Sequence, residues 1–103
     1  MDADFIRKRV TQLRLQKGVS EYQMSLDMGH SRSYIQSIVS GKALPSMAEF
    51  LYMCEYLGVT PSAFFDEQTD NPALLQKALD EMRSLSDKDI LSLLSLIERF
   101  KEK

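Results

Sequence analysis

Two short apolar patterns separated by a glycine constrain the fold of this chain more than any other feature. In SEYQMSLDMGHSRSYIQSIVSGKALPS, residues 20 to 46, Met24 and Met28 precede Gly29 at a spacing of four, and Ile35 and Ile38 follow it at a spacing of three. Such spacings put side chains on one face of a helix. Gly29 tolerates the positive φ of a sharp turn, where a Cβ would cost about 1 kcal/mol or more. The stretch therefore predicts two short helices that meet at a tight turn and bury a common seam.

The helices on either side of this pair are predicted by their capping residues. Helix one is predicted from Asp4 to Lys17, where apolar residues fall near a 3.6 period before Gly18. Ser20 and Ser46 each stand three residues before Gln or Glu, which is the spacing of a capping box, and they predict the starts of helices two and four. Ser31 is the predicted N-cap of helix three, which ends at Gly41.

Three further helices are predicted after Gly58. Thr60-Pro61 predicts a short helix five, because Thr is a good N-cap and Pro suits the first helical position. Asn71-Pro72 opens helix six by the same argument, and Ser86, three residues before Asp89, opens helix seven. The fold class is therefore all-α, with a five-helix bundle in residues 1–66 and a C-terminal extension of two helices in residues 67–103.

Composition and charge limit the possible functions. The chain has 103 residues and a net charge of −2, yet residues 1–42 carry seven Lys or Arg against four acids. Such asymmetry indicates that the two halves face different partners. The single cysteine, Cys54, cannot form an internal disulfide, and no Cys/His cluster predicts a metal site, so neither metal nor cofactor is expected. No apolar run suggests a signal peptide or membrane span, so we expect a cytoplasmic protein without a membrane partner.

Helices two and three form a helix-turn-helix by their length and connection, and the surface of helix three suggests what it binds. No acidic residue lies between Asp27 and Glu49. The side chains expected to face outward there are cationic or hydrogen-bonding: Arg32, Ser33, Gln36, Ser37, Ser40 and Lys42. Residues of about 5 to 66 resemble the Cro/repressor-like (Xre-type) helix-turn-helix family, a five-helix bundle that binds DNA. The resemblance lies in the spacing of Ser20, Met24, Ser25, Gly29, Ser31, Ile35, Ile38, Gly41 and Pro45, and in the ending LGVTPSAFF.

The resemblance implies double-stranded DNA as the partner, with helix three in the major groove. It implies base contacts from Arg32, Ser33 and Ser37, to which geometry adds Gln36. Arg32 is the first choice, because its guanidinium can bind guanine O6 and N7 together. The predicted phosphate contacts are Ser20, Gln23, Ser31, Ser40, Lys42, Arg14 and Lys17. For each of these polar residues the alternative is an ordinary solvated helix face.

Three residues depart from the family pattern. Glu21 stands where members often have a Gln directed at the DNA backbone, and its carboxylate should repel phosphate. Val39 stands where many have a Glu that pairs with the arginine matched by Arg14, so we expect Arg14 to find another partner or solvent. His30 replaces an apolar turn residue and is interpreted as a partly exposed packing residue.

The C-terminal extension lies outside the resemblance. Its last helix has more apolar residues than one core-facing stripe needs, and wide apolar faces are rare on soluble monomers. We expect a homodimer rather than internal packing, formed through Ile90, Leu93, Leu94, Ile97 and Phe100. The extension is too short to predict a small-molecule ligand.

Two functions remain open at the level of sequence. The first is a sequence-specific transcriptional regulator, a dimeric repressor that reads a palindromic operator. The second is a protein-interaction module or antitoxin-like partner with weak DNA binding, which Glu21 and the overall acidity favour. An enzyme is not expected, since no phosphate loop, metal cluster or nucleophile at a known spacing is present.

Overall fold

Residues 1–102 are described by a computed structural model of the chain, and within them every regular element is a helix. The seven helices are α1 (Ala3–Lys17), α2 (Glu21–Asp27), α3 (Tyr34–Val39), α4 (Met47–Leu57), α5 (Pro61–Phe64), α6 (Pro72–Met82) and α7 (Asp87–Lys101). The all-α prediction is confirmed. The chain divides into two compact units, Met1–Ala73 and a second from Leu74 onward.

Most predicted helix starts are confirmed by a side-chain hydrogen bond. Ser20 Oγ accepts from the backbone N–H of Gln23 at 2.9 Å, and Ser46 Oγ accepts from that of Glu49 at 3.1 Å. Thr60 and Ser86 cap α5 and α7 in the same way. In the two capping boxes the Gln23 and Glu49 side chains bond to partners elsewhere, Asp27 and His30.

The predicted cap of α3 by Ser31 is wrong. The helix begins at Tyr34, its N-cap residue is Ser33, and Ser33 makes no side-chain capping bond. Residues 31–33 instead form a turn closed by a bond from the Tyr34 N–H to the Ser31 carbonyl. Sequence reasoning started the helix too early because a serine before an apolar run is a typical N-cap, and it did not anticipate a cap from another helix.

The hydrophobic core of the first unit is formed by residues from all five helices, α1 through α5. Twelve hydrophobic side chains are buried, and those of Val10, Met24, Ile35, Ile38 and Phe64 are fully inaccessible to solvent. The predicted seam of helices two and three is thus confirmed as part of this core. Cys54 is also buried, and burial raises the pKa of its thiol to about 11, so the thiol stays protonated at neutral pH.

The polar segment DEQTD, residues 66–70 after α5, is tied to α1 through its backbone carbonyls. Arg9 is 4% exposed and donates to the carbonyls of Asp66 and Thr69, the latter at 2.9 Å. Gln12 and Gln16 both donate to the carbonyl of Asp70, at 2.8 and 2.6 Å. Arg9, one of the seven basic residues of the first half, therefore does not contribute to an exposed basic surface.

The second unit contains most of α6 and all of α7. Along α7 no residue is buried. Ile90 and Leu93 are partly exposed, and Leu94, Ile97 and Phe100 are exposed, the last by 59%. In the described range 1–102, no helix has both the length and the apolar character needed to cross a membrane.

Candidate nucleic-acid interface

Ser25 joins the two helices of the helix-turn-helix. Its side chain is fully buried, and its hydroxyl donates to the Glu21 carbonyl at 2.8 Å while accepting from the backbone N–H of Ile35 at 3.0 Å. The N–H of Ile35 lies in the first turn of α3 and has no partner within its own helix. Ser25 therefore caps α3 from across the turn, in place of the serine that sequence analysis expected.

The turn between the helices has the backbone geometry that the glycine predicted. Gly29 has φ of 78°, and no atom lies within 4 Å of the place where a Cβ would stand. A substitution there would be opposed by backbone conformation alone, because space is available. α2 ends at Asp27 with Met28 as its C-cap, and the turn then directs the chain toward residues 31–33.

Three of the four predicted base-contacting residues are exposed. Arg32 and Ser33 lie in the exposed turn before α3, and Gln36 is exposed on its first turns. Within residues 1–102, the Arg32 guanidinium has neither a hydrogen bond nor an ion pair. Ser37 is only partly exposed, and its hydroxyl donates to the Tyr34 carbonyl at 2.7 Å. Ser33 and Gln36 likewise make no side-chain hydrogen bond within the described residues, so of the predicted set Ser37 is the one whose polar group is already bonded.

Three of the predicted phosphate-contacting residues lie close to α3. Ser31 precedes it and Ser40 and Lys42 follow it, and all three are exposed. The Ser40 hydroxyl donates to the Ser37 carbonyl at 3.3 Å, and the backbone N–H of Lys42 also donates to that carbonyl, at 3.0 Å. The Lys42 ammonium remains in solvent, next to the turn at Gly41. These residues border the predicted base-contacting surface at its two ends.

The other predicted phosphate-contacting residues have partners within the protein. There are four: Ser20, which caps α2, Arg14, and the pair Gln23 and Lys17, which belong to a cluster around Asp27. Asp27 accepts from the Gln23 amide at 2.6 Å and from the Tyr56 hydroxyl at 2.7 Å, and the Lys17 ammonium lies 4.8 Å from the centre of the Tyr56 ring.

These bonds shift the pKa values of the cluster. The hydrogen bond from Tyr56, and to a smaller extent that from Gln23, lowers the pKa of Asp27 below its usual value. Burial, together with the bond to Asp27, raises the pKa of Tyr56 to about 12. Sequence analysis missed this cluster, because residues 17, 27 and 56 belong to three different helices.

Arg14 has found the alternative partner that the absence of a glutamate at position 39 led us to expect. Its Nη1 donates to the Val19 carbonyl at 2.8 Å, while its Nε is buried without a partner. The guanidinium therefore supports the bend between α1 and α2. Its predicted contact with phosphate would have to use the donors that remain.

His30 does more than the packing role predicted from sequence. Its ring stacks on that of Tyr34 with centroids 3.7 Å apart and an interplanar angle of 7°. Its Nε2 lies 2.7 Å from Glu49 Oε2 of α4. Since a carboxylate only accepts hydrogen bonds, Nε2 is the donor. Burial, followed by the charge of Glu49, raises the pKa of Tyr34, so its ring stacks as the neutral phenol.

Glu49 and Glu21 are the acidic side chains nearest in sequence to the predicted DNA surface besides Asp27. Glu49 is directed to His30. Glu21 is partly exposed in the first turn of α2, where a carboxylate suits the helix dipole. Within the described residues its carboxylate makes no hydrogen bond or ion pair, so its charge is not neutralised by a basic neighbour.

These features define a helix-turn-helix bundle in which residues 31–33, 36, 40 and 42 are exposed and carry no carboxylate. A family model described as Helix-turn-helix matches residues 10–64, more than half of the chain. The chain belongs to this family, the Cro/C1-type, Xre-like helix-turn-helix proteins. It is a DNA-binding regulator of the helix-turn-helix kind. Searches of curated proteins and of solved structures gave no significant match.

Proposed function

We propose that this protein is a cytoplasmic homodimeric repressor that reads a two-fold symmetric operator with α3 in the major groove. The observation that carries the proposal is the exposure of residues 31–33 and 36, with an unpartnered Arg32 and no carboxylate among them. A duplex carries about one negative charge per 1.7 Å of its axis, so a surface without acids approaches it without charge repulsion.

Base reading is assigned first to Arg32. An exposed guanidinium at the start of a recognition helix can bind guanine bidentately, and one such pair contributes about 1 to 3 kcal/mol of discrimination. Ser33, Gln36 and Ser37 are proposed to contact the neighbouring bases. Ser37 is the weakest of these candidates, because its hydroxyl proton is directed to a backbone carbonyl.

Phosphate contacts are assigned to residues at both ends of α3 and on the α1–α2 side of the surface. Lys42 is the strongest candidate, since it is exposed and its ammonium has no acidic neighbour within 4.0 Å among the described residues. Ser31 and Ser40 offer hydroxyls next to the reading surface. Ser20, Gln23, Arg14 and Lys17 would approach the backbone with the donors that their internal bonds leave available.

Dimerisation is assigned to α7. Ile90, Leu93, Ile97 and Phe100 follow the alternating three- and four-residue spacing of a coiled-coil seam, and Leu94 lies beside it. None of them is buried in the single chain. A symmetric pair of such helices would cover these side chains and present two reading surfaces to a palindromic site, whose half-sites lie about 34 Å apart. Repression follows because so small a dimer can block polymerase by occupying the site.

The experiment that tests this function is selection from a randomised duplex pool with the purified protein, followed by affinity measurements over a salt series. We expect a two-fold symmetric sequence and a linear fall of log K with log salt, whose slope gives the phosphates neutralised. Arg32→Ala should lower affinity for the selected site by about 1 to 3 kcal/mol and relax one base position. Arg83→Ala, an exposed arginine of the second unit, is the matched control and should change neither.

The competing function, a protein-interaction module with weak DNA binding, predicts a different result. It is favoured by the unneutralised Glu21 carboxylate at the start of α2. If no sequence is enriched even at low salt, sequence-specific repression is wrong and α7 becomes the surface on which to seek a protein partner.

A further inference from the structure

His30, Tyr34 and Glu49, none of them among the predicted DNA contacts, hold the turn that contains Arg32. His30 and Tyr34 stand immediately before and after residues 31–33, and their rings stack with centroids 3.7 Å apart. The three residues between them are exposed. The stack therefore closes the two ends of a short loop whose central residue is Arg32.

The closed loop is attached to a helix outside the helix-turn-helix. His30 Nε2 donates to Glu49 Oε2 at 2.7 Å, and the backbone N–H of Glu49 is bonded to Ser46 Oγ in the first turn of α4. The two side chains of this hydrogen bond are 29% and 35% exposed, so solvent competes only in part for it. One end of the loop is thus fixed to α4 through a side chain, and the other end begins α3.

We propose that His30, Tyr34 and Glu49 are positioning residues. The stack of the His30 and Tyr34 rings and the bond from His30 to Glu49 set the orientation of Arg32 for base reading. The proposal rests on the function proposed above. A guanidinium discriminates between bases only when it meets both acceptors of guanine together, so the placement of its backbone matters. A loop that already has its bound conformation loses little conformational entropy when DNA binds.

The hydroxyl of Tyr34 provides a matched control. It is buried and has no hydrogen-bond partner within the described residues, so the ring and not the hydroxyl makes the contact with His30. Tyr34→Phe keeps the ring, whereas Tyr34→Leu removes it. At position 30 the two contacts separate in the same way: His30→Phe keeps a ring without the bond to Glu49, and His30→Gln keeps a donor without a ring.

The measurement is the specificity ratio, meaning the affinity for the selected site divided by the affinity for the same duplex with the Arg32-dependent base pair replaced. Tyr34→Phe should leave the ratio unchanged, and Tyr34→Leu and His30→Gln should each lower it by about tenfold, within the range of one lost bidentate contact. His30→Phe and Glu49→Gln should lower it less, since the stack remains. Circular dichroism melting identifies any variant that does not fold. If Tyr34→Leu is unfolded, the specificity ratio of His30→Gln tests the proposal instead.

A double-mutant cycle separates positioning from a general structural effect. In an Arg32→Ala background, Tyr34→Leu should cause no further fall in the ratio, because the residue it positions is absent. NMR order parameters of the Ser31, Arg32 and Ser33 amides, measured without DNA, should fall in Tyr34→Leu and stay unchanged in Tyr34→Phe.

The results that overturn the proposal are distinct from failure of the proposed function. If the native protein selects a site and folded Tyr34→Leu and His30→Gln keep its specificity ratio, positioning by the stack is wrong and sequence-specific reading stands. If Tyr34→Leu lowers the ratio equally in the Arg32→Ala background, positioning of Arg32 by the stack is likewise wrong. If the native protein selects no site, the proposed function and the positioning role are both wrong.

Discussion

The two units of the chain are stabilised in different ways. The first unit buries twelve hydrophobic side chains and closes its turns with side-chain hydrogen bonds such as those of Ser25 and Arg14. In the second unit the longest helix, α7, buries none of its residues. Because burial of apolar surface is the main favourable term in folding, the first unit has its own source of stability, whereas α7 needs a further surface to cover its apolar side chains.

The largest difference should appear when one phenylalanine is removed from each unit. Phe64 is fully buried and packs against the rings of Phe50 and Phe65, so Phe64→Ala should lower the free energy of unfolding by about 3 to 5 kcal/mol. Phe100→Ala, at a 59% exposed position, should leave the unfolding of the first unit unchanged. Denaturant titration followed by circular dichroism checks both. Equal losses would show that the two units do not differ in this way.

The next effect concerns how α7 covers its apolar residues. Ile97→Asp would put an unpaired carboxylate in the proposed dimer seam and should weaken association by about 2 kcal/mol or more, since charge is poorly tolerated at the centre of an interface. Leu91→Asp is the matched control, because Leu91 is 63% exposed and lies off the seam. Sedimentation velocity over a concentration series measures both. A native protein that is monomeric at all concentrations, or equal effects of the two substitutions, would contradict dimerisation through this seam.

A smaller effect tests the bond that joins α2 to α3 within the first unit. Ser25→Ala keeps the residue small but leaves the buried N–H of Ile35 without its acceptor, which should lower the free energy of unfolding by about 1 to 3 kcal/mol. Ser33→Ala is the control, because Ser33 is exposed and makes no capping bond. Urea titration of both variants measures the difference. If Ser33→Ala were the more destabilising, the cap of α3 would be local after all.

The helices could be predicted from sequence because their signals are local. Ser20, Ser46, Thr60 and Ser86 each cap a helix within three residues of themselves, and Gly29 has the positive φ that the turn required. The prediction that Ser31 caps α3 was wrong, since the acceptor that caps this helix is the hydroxyl of Ser25, ten residues before Ile35 in the chain. A bond across a turn depends on how the helices pack, and residue spacing does not contain that information.

The predicted site divides along the same line. Gln36 is exposed on α3 as helical periodicity predicted, whereas Arg32 is exposed in the turn before that helix. The contacts of Gln23 and Lys17 with Asp27 and Tyr56 were not predicted, because Tyr56 is brought to them by the packing of α4. The charge count also treated Arg9 as a surface residue, although its guanidinium is buried against carbonyls of the segment after α5.

The smallest effect we predict has opposite signs for stability and for DNA binding. Glu21 interacts favourably with the dipole of α2, so Glu21→Gln should lower stability by about 0.3 to 1 kcal/mol. The same change removes a charge that repels phosphate and should strengthen binding to any duplex by a similar amount, about two- to fivefold at low salt. Glu55→Gln, an exposed position on α4, is the control for a loss of one negative charge elsewhere on the first unit.

Fluorescence anisotropy with selected and random duplexes, over a salt series, measures this change together with thermal melting of the free protein. The gain should be equal for both duplexes, because phosphate repulsion carries no sequence information, and it should shrink as salt screens the charge. If Glu21→Gln leaves binding to both duplexes unchanged at low salt, the side chain of Glu21 does not face the DNA backbone. The start of α2 would then lie away from the duplex, and the phosphate contacts assigned to Ser20 and Gln23 would be wrong, while those assigned to Ser31, Ser40 and Lys42 around α3 would remain.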